Sequence, residues 1–279
     1  MLKSAGEVPV IAIRARGRLV PLDLKEVWRY RELMWFFIWR DVKVRYKQTA
    51  LGVAWAVLQP VLNMLVFTLV FARLAHVATG GVPYPIFAYC GLLPWQLFAF
   101  SLSESSMSVV ANERLISKVY FPRIMVPIAA ACAGLVDMAI SFLVLIVLFA
   151  SYGMHPGRAI VALPLFLLMA LATALAVGIW MAALNVEYRD VRYVLPFVTQ
   201  FWLFATPVAY PASLVPPRWR LLYGLNPMTG VVEGFRWSLL GNGNAPGVLV
   251  AVSAAIVVLL MIGGLYYFRS VERTFADVV

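Results

Sequence analysis

Apolar and polar positions fall into long blocks along this chain, not into the alternation of a strand or the single stripe of a surface helix. Six blocks, roughly 51–74, 86–108, 125–150, 159–184, 193–213 and 247–268, carry almost no charge. Each is long enough to cross about 30 Å of hydrocarbon as a helix, which takes about 20 residues. The fourth (AIVALPLFLLMALATALAVGIWMAAL) and the sixth (VLVAVSAAIVVLLMIGGLYYF) are the cleanest. The second contains SLSESS, Ser101 to Ser106, so its lower half is polar. The fifth holds Pro196, Pro207 and Pro211, which predicts a break near its far end.

Two stretches outside the blocks are also patterned. Residues 23–47 mix an apolar set (Val27, Trp28, Leu33, Met34, Phe36, Phe37, Ile38, Trp39) with Arg29, Arg31, Arg40, Lys43, Arg45 and Lys47. That suits an amphipathic helix lying in the plane of the inner leaflet. Between the fifth and sixth blocks, residues 214–246 show two short amphipathic pieces separated by Asn226-Pro227. They read as two short helices lying in or dipping into the outer interface, anchored by Trp219, Tyr223, Phe235 and Trp237, or as an ordinary outer loop.

Charge fixes the expected orientation. The N-terminal fifty residues carry eleven Lys and Arg, and with the 109–124 and 185–192 loops and the tail one side holds eighteen against five on the other. That bias places both termini in the cytoplasm. The net charge of +10 therefore belongs to a membrane pattern and not to a nucleic-acid surface. Composition agrees: the chain of 279 residues is 63% hydrophobic and 13% charged, with mean hydropathy +0.86, where soluble domains have about a quarter charged. No short apolar core with a cleavage site opens the chain, so the first block is expected to act as an uncleaved anchor. The expected fold is all-α, a polytopic membrane protein with six transmembrane helices.

Chemistry for catalysis is sparse. Cys90 and Cys132 fall inside apolar blocks at different expected depths, which argues against a disulfide, and no metal-type spacing joins them. His76 and His155 are isolated in outer loops, and no metal site is expected. No G-x-x-x-x-G-K-[ST] is present, so the chain has no P-loop of its own. Asp137 and Glu104 lie within the third and second blocks. Each is either a functional carboxylate or a hydrogen-bonded contact between helices. A membrane-embedded enzyme would need loop-borne acidic or His clusters, and the sequence has none.

Four segments occur in order: RDVKVRYKQTALGVAWAVLQP (Arg40 to Pro60), ANERLISKVYFPRIMVP (Ala111 to Pro127), NVEYRDVRYVLPFVTQFW (Asn185 to Trp202) and LNPMTGVVEGFRWSLLG (Leu225 to Gly241). Together they resemble the membrane subunit of ABC-2 type exporters, specifically the polysaccharide branch, over about residues 30–270. The resemblance implies a permease without its own ATPase site, hence not an enzyme, in the bacterial inner membrane. It implies a homodimer resting on two P-loop ATPase subunits, which bind ATP and Mg; this chain itself needs no cofactor. Residues 1–50 would be a cytoplasmic segment with the interface helix, 51–270 the transmembrane domain and 271–279 a cytoplasmic tail. The segment from Tyr210 to Trp237 would form periplasmic gate helices between spans five and six.

Roles follow by the same resemblance. Asn112, Leu115, Ile116, Lys118, Val119, Tyr120, Phe121 and Arg123 would couple to the ATPase, the apolar members seated in a groove. Arg40, Lys43, Arg45, Lys47, Arg189 and Arg192 would meet the diphosphate at the cytoplasmic mouth, where a cation suits it. Trp55, Phe67 and Phe71 in span one, with Phe197, Phe201, Trp202, Phe204 and Tyr210 in span five, would line the glycan channel. The implied cargo is an O-antigen-like polysaccharide on a polyprenyl diphosphate; a teichoic acid, a capsule glycan or a small lipid or drug are the alternatives.

Overall fold

The computed structural model describes residues 24–47, 52–241 and 247–272, with Ala245 and Phe275. Most of the expected N-terminal segment, the junction at 48–51 and most of the tail lie outside the described residues. What is described is nearly all helical. Helices α1 (Leu24–Arg29) and α2 (Arg31–Lys47) precede α3 (Gly52–Phe67), which runs on as a π-helical stretch, Thr68–Leu74. Then come α4 (Tyr84–Ala111), α5 (Glu113–Lys118), α6 (Met125–Ser151), a 3₁₀ turn (Arg158–Ala162) leading into α7 (Leu163–Glu187), and α8 (Val191–Ala205). Then follow α9 (Arg220–Tyr223), α10 (Pro227–Leu240) and α11 (Gly247–Val271).

Among the described residues, five helical segments are long and apolar enough to cross a membrane: Ala54–Leu74, Tyr84–Ala111, Met125–Ser151, Arg158–Glu187 and Gly247–Val271. The fifth expected span is different. Helix α8 has 15 residues, about 22 Å of rise, and ends at Ala205, where Thr206 turns extended (ψ 143) ahead of Pro207. The block read as 193–213 is thus a short helix followed by a turned segment.

Helix α4 is the buried centre of the bundle, packed on α6 and α7. Lipid tails are as apolar as leucine, so helices in a membrane associate through close approach and polar contacts. Small residues provide the approach. A Cβ on Gly178 of α7 would stand 2.7 Å from Ser105 Oγ of α4, and one on Gly264 of α11 would stand 2.7 Å from Trp180 of α7. Trp180 in turn donates Nε1–H to the Leu260 carbonyl at 2.9 Å and stacks on Tyr267.

Prolines release backbone acceptors that neighbours must satisfy. Pro60 cannot donate to the Ala56 carbonyl, and the Ser141 hydroxyl of α6 reaches that oxygen at 3.3 Å. At the turned segment after α8, the carbonyls of Pro207, Val208 and Tyr210 all accept from the Arg236 guanidinium. Arg236 also reaches the Phe87 carbonyl and Glu233, and lies 3.7 Å over the Phe87 ring. The non-helical backbone of this segment persists inside the bundle because a buried cation satisfies it.

One expectation needs correction. The two short helices exist, but Phe235 of α10, expected as an anchor facing lipid, packs within the protein. Phe235 is fully buried, and most of α10 is enclosed by α4, α7 and α11. Its glycines allow this: a Cβ on Gly234 would collide with the Phe166 ring, and one on Gly230 would stand 2.6 Å from Ser253 Oγ. Trp219, Leu221 and Leu222 do remain exposed before it.

Candidate functional site

A cleft of about 490 Å³ lies among α3, α4, α6 and α8. Its polar lining comes from side chains spaced along each helix. Gln59 and Asn63 stand one turn apart on α3, Gln96 and Ser103 face them from α4, Ser141 comes from α6, and Thr199 and Gln200 from α8. Aromatic rings interleave: Trp55 and Phe67 on α3, Trp95 and Phe100 on α4, and Phe204 on α8. The Gln96 Nε2 is buried and has no hydrogen-bond partner within the described residues. Amides between rings can meet a polyhydroxylated guest by hydrogen bonds and by stacking, without an ionic hold.

Among the described residues, the charged side chains in this lining are Arg45 and Asp137. They form an ion pair at 2.6 Å between the last turn of α2 and the middle of α6. The Tyr46 hydroxyl donates to the other carboxylate oxygen. Burial first, and then the Asp137 carboxylate, push that hydroxyl up to about 12. The Arg45 guanidinium lies 4.2 Å over the Phe100 ring. Glu104 feels the charges of Arg45, Asp41 and Asp137, so it belongs to the same ionic neighbourhood.

Of the cations expected at the cytoplasmic mouth, Arg45 alone lines the cleft. Arg40 pairs with Asp41 at 2.8 Å and lies over Phe37. Lys43 sits 5.2 Å over Trp39, and Lys47 is exposed at the end of α2. Arg189 and Arg192 are exposed ahead of and on α8, with Arg192 Nε donating to the Arg189 carbonyl.

The expected channel aromatics divide. Trp55, Phe67 and Phe204 line the cleft, and Phe71 packs edge-on to Phe67 at 5.6 Å. Phe197 and Phe201 do not line it; they pack on each other at 4.6 Å on the exposed side of α8. Trp202 points inward, edge-on to Phe98, and donates Nε1–H to Asn226 Oδ1 at 2.8 Å. Tyr210 donates to the Phe204 carbonyl and meets the Tyr223 hydroxyl, both at 2.8 Å. Trp202 and Tyr210 therefore fasten the C-terminal end of α8 in this chain and do not face the cleft.

The loop after α4 divides too. Asn112 caps α4 through its Nδ2 on the Ser108 carbonyl. Ile116 and Phe121 are buried against Phe37, Val109, Phe268 and Phe275. The expectation that these two seat in a partner's groove is corrected: they hold the loop to its own bundle. Arg123 does likewise, donating to the Glu272 carbonyl and lying over Phe275. Leu115 is half-buried, whereas Lys118 and Val119 are exposed, and Tyr120 is 80% exposed with its hydroxyl 3.2 Å from Glu26 of α1.

Sequence reasoning passed over several of these residues. Gln59 and Asn63 were a legible signal, since two amides four apart in an apolar run share one helix face. Asn226 gave only the hint of its Asn-Pro pair. It accepts from the Met228 N–H as the cap of α10, accepts from Trp202, and donates to Ala205 and Thr206.

The family model for ABC-2 type transporters matches residues 32–240, from the start of α2 to the end of α10. The chain belongs to the ABC-2 type transporter family. It is similar to an O-antigen export system permease protein, RfbA, of Myxococcus xanthus, 31% identical over 259 residues, which cover 91% of this chain and 98% of that protein. A protein of the same description from Klebsiella pneumoniae is 27% identical over 86% of this chain and 92% of its own length. The polysialic acid transport protein KpsM of Escherichia coli is 21% identical over 84% and 91%. With its five long apolar helices, this ABC-2 permease is a multi-pass protein of the bacterial inner membrane.

Proposed function

We propose that this ABC-2 permease is the membrane subunit of an ATP-driven exporter that carries a polyprenyl-diphosphate-linked, O-antigen-like glycan outward. Two copies form the conduit, with six crossings per copy counting α8 and its turned segment, and both termini inside. Separate P-loop subunits bind ATP and Mg and act through the exposed part of the α4–α6 loop, Lys118, Val119 and Tyr120. The observation that carries the reading is the cleft, whose lining of amides, hydroxyls and rings suits a neutral sugar chain, together with likeness to an O-antigen permease along 98% of that protein.

The diphosphate meets the cations at the inner ends of α2 and α8. A polyanionic capsule glycan is the second reading, because KpsM is also a relative. It fits less well, since the cleft offers one arginine and that arginine is already paired. The test is to purify the permease with its ATPase, hydrolyse the lipid-linked material that co-purifies, and identify the sugars. A neutral glycan on a polyprenyl diphosphate is expected. Recovery of a polyanionic chain favours the second reading, and recovery of no glycan, with ATPase stimulation by small amphiphiles alone, overturns both.

A further inference from the structure

Asp137 is a carboxylate in the middle of an apolar helix, where charge is costly and needs a partner. It has two partners, both from the last turn of α2. Arg45 stands 2.6 Å from one oxygen and the Tyr46 hydroxyl donates to the other. The pair is partly open, with side chains 40% and 21% exposed, and both residues line the cleft. Phe100 holds the guanidinium by its face at 4.2 Å, so the position of Arg45 does not depend on Asp137 alone. Guanidinium binds carboxylate and phosphate through the same fork of N–H groups. A phosphate that reaches Arg45 must therefore compete with the carboxylate already there.

We propose that Asp137 is a resident counter-ion that holds the headgroup site of the cleft. The phosphate end of an anionic lipid binds Arg45 by displacing the Asp137 carboxylate, while Phe100 keeps the guanidinium turned to the cleft. Tyr46 stays with the displaced carboxylate as its donor. The inference rests on the reading of the chain as a permease for a lipid-diphosphate-linked cargo and assigns that cargo's anchoring point. It also accounts for selectivity. The empty cleft never holds an unpaired cation, and a phosphodiester with a single charge displaces the carboxylate less well than a diphosphate does.

The test uses the full-length permease in phosphatidylcholine nanodiscs with radiolabelled undecaprenyl diphosphate. Removing the competitor in Asp137→Asn is expected to tighten binding about fivefold, and Arg45→Ala to weaken it about fivefold, the scale of a partly exposed ion pair. The double variant should match Arg45→Ala, because without Arg45 there is nothing for Asp137 to guard. Asp137→Ser serves as a second neutral variant if the Asn form does not insert. A pair that only ties α2 to α6 would instead weaken binding in both single variants, and that result overturns the proposal. Phosphatidylglycerol is the competing source of phosphate. Its failure to displace the label supports a cargo site, and displacement as good as that by unlabelled undecaprenyl diphosphate overturns it. No binding to the unaltered permease counts against the transport reading itself, whereas normal binding with an unresponsive Asp137→Asn removes the counter-ion alone.

Discussion

Arg236 shows how one buried side chain permits an irregular backbone within a packed helical bundle. Its Nε donates to the Phe87 carbonyl, its Nη2 to the Val208 carbonyl, and its Nη1 is shared among the Pro207 and Tyr210 carbonyls and the Glu233 carboxylate. Removing the cation strips those carbonyls of this donor and Glu233 of its ion-pair partner together, so Arg236→Ala is expected to cost about 3–5 kcal/mol. Arg236→Lys should rescue little of it, because an ammonium cannot copy the planar fork or lie flat on Phe87. Thermal midpoints in detergent check both; a lysine variant as stable as the original would refute the account. Close approach supplies a second residue-scale prediction. In Gly178→Ala the new methyl meets Ser105 Oγ and Cβ at 2.7 and 2.8 Å, at an expected loss of about 1–3 kcal/mol. Ser105→Gly in the same chain should restore most of it, while Ser105→Ala should not, because its Cβ remains in the way.

At the scale of elements, the loop joining α4 and α6 has two faces, one buried and one exposed. Ile116, Phe121 and Arg123 bind it to the bundle and to the end of α11. Lys118, Val119 and Tyr120 stand outside. Lys118→Glu with Tyr120→Ala is therefore expected to insert at normal yield but to lose most of the stimulation of ATP hydrolysis in the assembled exporter. Phe121→Ala should instead lower the yield, since burying an aromatic residue contributes about 3–5 kcal/mol. Equal ATPase stimulation by the unaltered and double-variant permeases would remove the loop from coupling. The sequence carried the loop's composition, with its apolar and basic residues intermixed, but not the division. Which apolar residues turn inward depends on Phe37 and Phe268, which are remote in the chain.

The same physics separates what was legible elsewhere. Five long helices follow from unbroken apolar runs, because hydrocarbon leaves a backbone little other choice. Pro207 marked the end of α8. That α10 packs inside the bundle was not legible, because its cue is two glycines that fit against Phe166 and Ser253. Nor was the Arg45–Asp137 pair, which joins residues far apart in the sequence and depends on α2 packing against α6.

For the whole molecule, the surface of α8 poses the remaining question. Phe201 is 61% exposed and packs against Phe197, facing away from the cleft of its own chain. Leu259 on α11 is as exposed, at 65%, so exposure alone does not separate a lipid-facing helix from a subunit contact. Position does. Helices α3 and α8 both wall the cleft and both expose most of their apolar side chains, so a second copy set against them would enclose the cleft as a conduit, whereas one set against α11 would leave it open to lipid. In the homodimer proposed here, Phe201→Cys is therefore expected to form a disulfide-linked dimer on mild oxidation of native membranes, in a background with Cys90 and Cys132 replaced by alanine. Leu259→Cys should stay monomeric under the same oxidation. The reverse pattern would set the copies back to back through α11 and deprive the cleft of its second wall. A cross-link at Phe201 would also give this residue and Phe197 the channel-side place expected of them, in this case against the neighbouring copy.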